Sequence, residues 1–215
     1  MSAAEPVTDP AVREYDLVVS LGTDHHPFDR LLDWCEDYAL ARPGTRCLIQ
    51  HGFTKAPQRC TGAERMPREQ LLETYRGAAA VLVQGGPGSI LDAREAGIVP
   101  VAVPRRQDLG EVVDDHQIQF TRIMAEQGEA VMATSREELF DALDRALAQP
   151  EAFRTAPRLP HPEQAARTVA EYNEACACGE DAFGRPAASL VPIAEAHLEL
   201  ARRRLRAAGI ARPRA

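Results

Sequence analysis

The chain has 215 residues, 45% apolar and 27% charged, which is ordinary for a globular protein and long enough for one sizeable α/β domain plus extras. A formal net charge of −7 argues against a general nucleic-acid binder, and no apolar run reaches the roughly 18 residues that a membrane-spanning helix needs. The start, MSAAEPVTDPAVRE, lacks the basic and apolar stretches of a signal peptide, so none is expected. Of the five cysteines, Cys35, Cys47 and Cys60 are scattered and only Cys176 and Cys178 cluster. That spacing argues against a disulfide framework and fits a reducing cytoplasm.

Residues 1–14 read as a flexible leader. Tyr15–Leu21 predicts a strand that stops at Gly22, and the apolar spacing from Pro27 to Ala41 predicts a helix. Arg46–Gln50 is a second strand, ended by His51-Gly52. Residues 53–66 are ambiguous, with a weak strand near Cys60. Pro67–Arg76 reads as a helix and Ala79–Gln84 as a strand. Gly85–Ser89 is a turn, and Ser89 opens a helix that runs to Ala96 and closes at Gly97. Val99–Val103 is a strand, Val113–Gln127 a helix capped by Gly128, and Ala130–Ala133 a short strand. Ser135 and Glu138 form a capping box for a helix over Arg136–Ala148. Prolines at 150, 157, 160 and 162 mark residues 150–162 as a linker, followed by helices over 163–176 and 187–208. The last 15 residues hold six arginines and no acid, a basic tail suited to peripheral contact with anionic lipid or an acidic partner.

Strands alternating with helices predict a Rossmann-like parallel sheet covered on both faces over residues 15–149, with a helical extension over 163–215. Ligands of such sheets bind beyond the carboxyl ends of the strands. The sharpest local signal there is Gln84-Gly85-Gly86-Pro87-Gly88-Ser89, a strand entering a helix through a glycine turn. Free N–H groups and the helix dipole suit an anion at such a place. The same residues also make an ordinary tight turn with a capping serine, and spacing alone leaves both readings open. No Gly-Lys-Ser/Thr follows, so the turn is not a Walker loop. Asp92, one turn into the helix, can accept from a ribose diol or simply favour the helix dipole. Glu111, Asp114, Asp115, His116 and Gln117 concentrate polar groups after the next strand; Asp115, His116 and Gln117 suit a sugar hydroxyl array, while a solvated helix start with acids in its first turn also explains Asp114 and Asp115. Gly22, Thr23, His25 and Arg105 are further cleft candidates. Asp24, His25 and His26 carry metal-ligand chemistry, but neighbouring histidines are expected to point apart. Cys176-x-Cys178 with His161 lacks a fourth ligand, so no metal is expected.

Three separated segments, LVVSLGTDHHPFDRLL, VLVQGGPGSILDAREAGIVPVAVPRR and GEVVDDHQIQF, resemble the C-terminal, donor-binding domain of family 28 glycosyltransferases. The likeness is greatest to stand-alone donor subunits of bacterial exopolysaccharide glycosyltransferases and covers about residues 15–148. The resemblance implies one half of a GT-B fold that binds a UDP-sugar without a metal or other cofactor. It implies diphosphate contacts at Gly85, Gly86, Gly88 and Ser89, a ribose contact at Asp92, and donor-sugar contacts at Glu111, Asp115, His116 and Gln117. Gln84 departs from the His that many relatives carry. The chain starts at the donor half. The resemblance therefore implies a hexosyltransferase subunit, inactive alone, with a membrane-anchored acceptor-binding partner that supplies the base at the cytoplasmic membrane face. The alternative is a non-catalytic nucleotide-sugar-binding or stabilising module. A stand-alone epimerase is a third reading.

Overall fold

The structure is a computed structural model and describes residues 13–158. The expected helices after residue 162, the basic tail, the Cys176/Cys178 pair and nearly all of the leader lie outside the described residues. The chain forms β1 (Leu17–Ser20), α1 (Asp29–Ala41), β2 (Cys47–Gln50), β3 (Thr61–Ala63), α2 (Arg68–Gly77) and β4 (Ala80–Gln84). It continues with α3 (Pro87–Glu95), β5 (Val101–Val103), α4 (His116–Glu126), β6 (Val131–Met132) and α5 (Arg136–Ala148). Short 3₁₀ turns occupy Gln107–Leu109 and Pro150–Phe153.

The strands form one six-stranded parallel sheet in the order β3-β2-β1-β4-β5-β6. This is the Rossmann-like class that the alternation predicts. β1, β2 and β4 are apolar up to a polar last residue, Ser20, Gln50 and Gln84, because both faces of the sheet are covered. Leu17, Val19, Ile49 and Leu82 face a layer built by Leu31, Leu32 and Tyr38 of α1 and Leu139 and Leu143 of α5. Val18, Leu48, Val81 and Val83 face the other layer, with Leu72 and Tyr75 of α2, Ile90 of α3 and Met124 of α4. Each fully buried leucine contributes about 1.5–3 kcal/mol of transfer free energy. Cys35, Cys47 and Cys60, scattered in the sequence, converge in the first layer.

Several boundaries differ from expectation for identifiable reasons. α3 starts at Pro87 and is capped by Gly86, so Ser89 lies inside the first turn and is not the cap. Proline fits that first position because its φ is preset and no N–H is needed there. α4 starts at His116, three residues late, because the 3₁₀ turn and Gly110 at φ 68° consume the preceding stretch. Ser135 Oγ accepts from Glu138 N at 3.2 Å, as a capping box requires. The Glu138 carboxylate, however, accepts from Thr134 N at 2.7 Å, one residue further out than the motif expects. Residues 150–158, expected to begin a linker, run back along the domain. Phe153 O accepts from Val99 N, and Thr155 N and Arg158 N donate to Gly97 O and Arg94 O, all at 2.9 Å.

Candidate functional site

The sheet order reverses between β1 and β4, and a crevice opens outside their carboxyl ends at such a switch point. Here it is a groove of about 400 Å³. From the sequence candidates it takes Gly22 and Thr23 after β1, Gln84, Gly86, Gly88 and Ser89 at the β4–α3 turn, Asp92 of α3, and Gln117 of α4. The first described intrahelical bond of α3 is Ile90 N to Gly86 O at 3.2 Å. The N–H groups of Gly88 and Ser89 precede it, so the helix itself offers them no acceptor.

The turn's glycines do different jobs. A Cβ on Gly86 would stand 2.6 Å from the Gln84 amide nitrogen, and one on Gly22 2.7 Å from the same atom. Both glycines therefore make room for Gln84, whose Nε2 donates to Ser89 Oγ at 3.4 Å. A Cβ on Gly85 would meet Pro104 and Thr121, so Gly85 serves close packing and does not line the groove. A Cβ on Gly88 would meet nothing within 4 Å beyond its own turn, so Gly88 leaves open space beside the free N–H groups.

The sequence did not single out Arg68. The first residue of α2, it lines the groove and donates to Asp92 Oδ1 at 2.8 and 3.0 Å and to Glu95 Oε2 at 2.7 Å. Glu95 and Asp92 hold the guanidinium above its ordinary value, and Arg68 holds Glu95 below its own. Ser20, Gln50 and Met66 also line the groove. Gln50 Nε2 donates to Ser20 Oγ at 3.3 Å, and its carbonyl accepts from Met66 N at 3.2 Å. Tyr75 is fully buried beneath them. Its hydroxyl neighbours Ser20 and Asp92 and has no hydrogen-bond partner among the described residues. Burial pushes this phenol up. No sequence motif marks these positions, because α2 and β2 reach the groove only through the sheet order.

Other expected site residues lie elsewhere. Arg105 is 1% exposed and does not line the groove. It donates to Leu21 O at 2.8 Å, His26 O at 2.7 Å, Glu111 O at 2.9 Å and Gln84 Oε1 at 3.3 Å. It thus ties the loops after β1, β4 and β5 together. Burial pulls the guanidinium below its ordinary value. Glu111 is buried, and both oxygens accept from Arg30 at 2.8 Å, with Arg106 N adding a bond at 2.9 Å. Its lone pairs are therefore spent on the fold. Asp115 accepts from Gln107 N at 3.1 Å and lines a separate 360 Å³ depression with Arg30 and Arg106. His116 is exposed, with its ring held against Asp114. Of the expected sugar cluster, only Gln117 reaches the groove. It is 5% exposed, and its Oε1 accepts from Arg105 N at 3.3 Å.

His25 is exposed and also outside the groove lining. The expectation that its ring points away from His26 is corrected: the ring centroids are 3.9 Å apart because Asp24 gathers both. Ligand atoms of all three residues lie within 4.8 Å of one another. Asp24 Oδ1 already accepts from His26 N at 2.9 Å and contacts its ring at 2.7 Å. Burial raises the Asp24 carboxyl, but the His26 contacts outweigh it and hold the group below its ordinary value.

No protein-family profile and no curated protein matches the chain. Solved structures do resemble it. The UDP-GlcNAc 2-epimerase of Methanocaldococcus jannaschii, in complex with UDP-GlcNAc and UDP, is 11% identical with a TM-score of 0.50, over 72% of this chain and 44% of that one. The kitacinnamycin glycotransferase is 18% identical at a TM-score of 0.46, over 85% of this chain and 45% of that one. MurG of Acinetobacter baumannii is 18% identical at 0.46, over 67% and 44%. The chain spans less than half the length of each. At these identities the likeness is one of fold. Among the described residues no helix is long and apolar enough to cross a membrane.

Proposed function

We propose that the groove binds a UDP-sugar and that the chain is the donor-binding subunit of an inverting glycosyltransferase of hexosyl type. The observation that carries this reading is the α3 N-terminus at the switch point, flanked by Asp92 and Arg68. The Gly88 and Ser89 N–H groups suit a diphosphate, and each charge-assisted bond contributes about 1.5–3 kcal/mol. Arg68 adds a cation beside the same anion, so the leaving diphosphate needs no metal here. Asp92 suits the ribose diol and Gln117 the sugar. The M. jannaschii epimerase, which shares the fold, holds UDP-GlcNAc and UDP, in keeping with a nucleotide-sugar ligand.

The partner in this reading is a membrane-anchored, acceptor-binding chain that supplies the base and a lipid-linked acceptor hydroxyl at the cytoplasmic face. Phe53 after β2 and Leu109 and Val113 after β5 are exposed apolar side chains in loops at the groove end of the sheet, which supports a protein surface there. The test is titration calorimetry of the full chain with UDP and UDP-sugars, followed by turnover assays of the chain, the partner and the pair. UDP binding with turnover only by the pair is expected. No binding at millimolar UDP removes the reading, and full turnover by the partner alone reduces the chain to a stabilising module.

A further inference from the structure

Cys47 opens β2, and the next residue, Leu48, stands opposite Thr61 of β3. Cys60 is the bend residue just before β3, so Cys47 and Cys60 each stand one residue before this paired position. The backbones of adjacent strands run about 4.8 Å apart, so the two residues enter their strands side by side. That separation lies within the Cα range of about 4.4–6.8 Å that a disulfide spans. Both side chains pack in one layer with Cys35 of α1. All three cysteines are free.

The two thiols differ in access. Cys47 is 7% exposed and Cys35 1%, whereas Cys60 is partly open to solvent. The neighbouring Cys60, together with burial, raises the Cys47 thiol, and Cys47 holds the Cys60 thiol below its ordinary value. A more accessible, more acidic thiol beside a buried one divides the roles into attacking and resolving sulfur.

We propose that Cys47 and Cys60 are a redox-active dithiol that a peroxide converts to an intramolecular disulfide. The Cys60 thiolate attacks one oxygen of hydrogen peroxide, the O–O bond breaks, and the departing hydroxide takes a proton and leaves as water. The Cys47 sulfur then attacks the resulting sulfenic sulfur. Its proton joins the departing hydroxyl, the S–O bond breaks and a second water leaves. Two thiols lose two electrons, and one peroxide is reduced to two waters. The new bond ties the three-residue edge strand β3 to β2. The segment leading out of β3 carries Met66 and Arg68 to the groove, so oxidation stiffens one wall of that groove.

The test treats the full chain with equimolar hydrogen peroxide, alkylates remaining thiols under denaturing conditions and maps tryptic peptides by mass. Lys55 and Arg59 lie between the two cysteines, so trypsin separates them unless they are bonded. The expected product is a linked pair of peptides 47–55 and 60–65, two fewer thiols of the five, and reversal by dithiothreitol. Cys47→Ser should stop at a Cys60 sulfenic acid that dimedone traps, and the oxidised wild type should melt higher than the reduced. Recovery of Cys47 and Cys60 as separate alkylated thiols, or linkage of Cys60 to any other cysteine, overturns the proposal. The wild-type map needs no variant to fold and is independent of whether UDP binds.

Discussion

Arg68 Nη2 donates to Asp92 Oδ1 at 2.8 Å, so the acid expected to hold a ribose already holds a cation from another helix. A nucleoside diphosphate brings its own anion, which competes for Arg68 and frees the carboxylate for a diol. Arg68→Met should therefore weaken UDP binding by roughly threefold to tenfold while changing uridine binding less. Asp92→Ala should do the reverse, because it removes the diol acceptor and releases Arg68 toward the phosphates. Calorimetry with both ligands checks this, and parallel losses for the two variants would reduce the pair to a surface bridge.

Gly85 and Gly88 separate packing from ligand space. Gly88→Ala adds a methyl group where no atom beyond its own turn lies within 4 Å, in the first turn of α3. Alanine is the better helix former by about 0.5–1 kcal/mol, so thermal stability should hold or rise while UDP affinity falls. Gly85→Ala drives the same methyl group into the Pro104 backbone and should destabilise the fold. Melting curves of the two variants, read with UDP titrations, test the assignment; equal UDP affinity in Gly88→Ala and wild type would move the diphosphate elsewhere.

Glu111 was expected at the sugar, but its carboxylate is buried against Arg30. Removing one partner strands the other charge, at a cost of about 3–5 kcal/mol. Glu111→Ala should accordingly lower the unfolding free energy by that order in urea, with UDP affinity of the folded fraction nearly unchanged. An affinity loss without a stability loss would restore Glu111 to the ligand site.

Asp16 ties the starts of β1 and β2 together: its Oδ1 accepts from Arg46 Nη2 at 2.8 Å and its Oδ2 from Arg46 N at 3.0 Å. The Arg46 side-chain bond, opposed by partial burial, holds this carboxyl below its ordinary value. A carboxyl depressed in the folded state stabilises fully above the unfolded value of about 3.9, and that contribution drains away as pH falls through the lower folded value. Asp16→Asn should melt below wild type at pH 7, and the gap should close near pH 2. A gap that persists in acid would mean that shape, and not charge, carries the contact.

The order and type of the elements could be read along the chain because each depends on local information. Buried strands such as Leu17–Ser20 and Ala80–Gln84 need apolar runs up to their polar last residue, and Pro87 and Ser135 are local helix-start devices. The glycine turn was legible for the same reason, since a strand must enter a helix through it. Which side chains share a groove is a different matter, fixed by the crossing of elements far apart in sequence. Arg68 meets Asp92 because α2 packs beside α3, and Tyr75 lies beneath Ser20 because β1 is central in the sheet. Glu111 and Arg105 looked like ligand groups because both are charged residues near strand ends. Only the tertiary structure supplied their partners, Arg30 for the first and three loop carbonyls and Gln84 for the second. Cys47 and Cys60 likewise stand 13 residues apart in the chain and share one layer only because β2 and β3 pair side by side. Parallel pairing always joins residues distant in sequence, and a linear pattern carries no record of that distance.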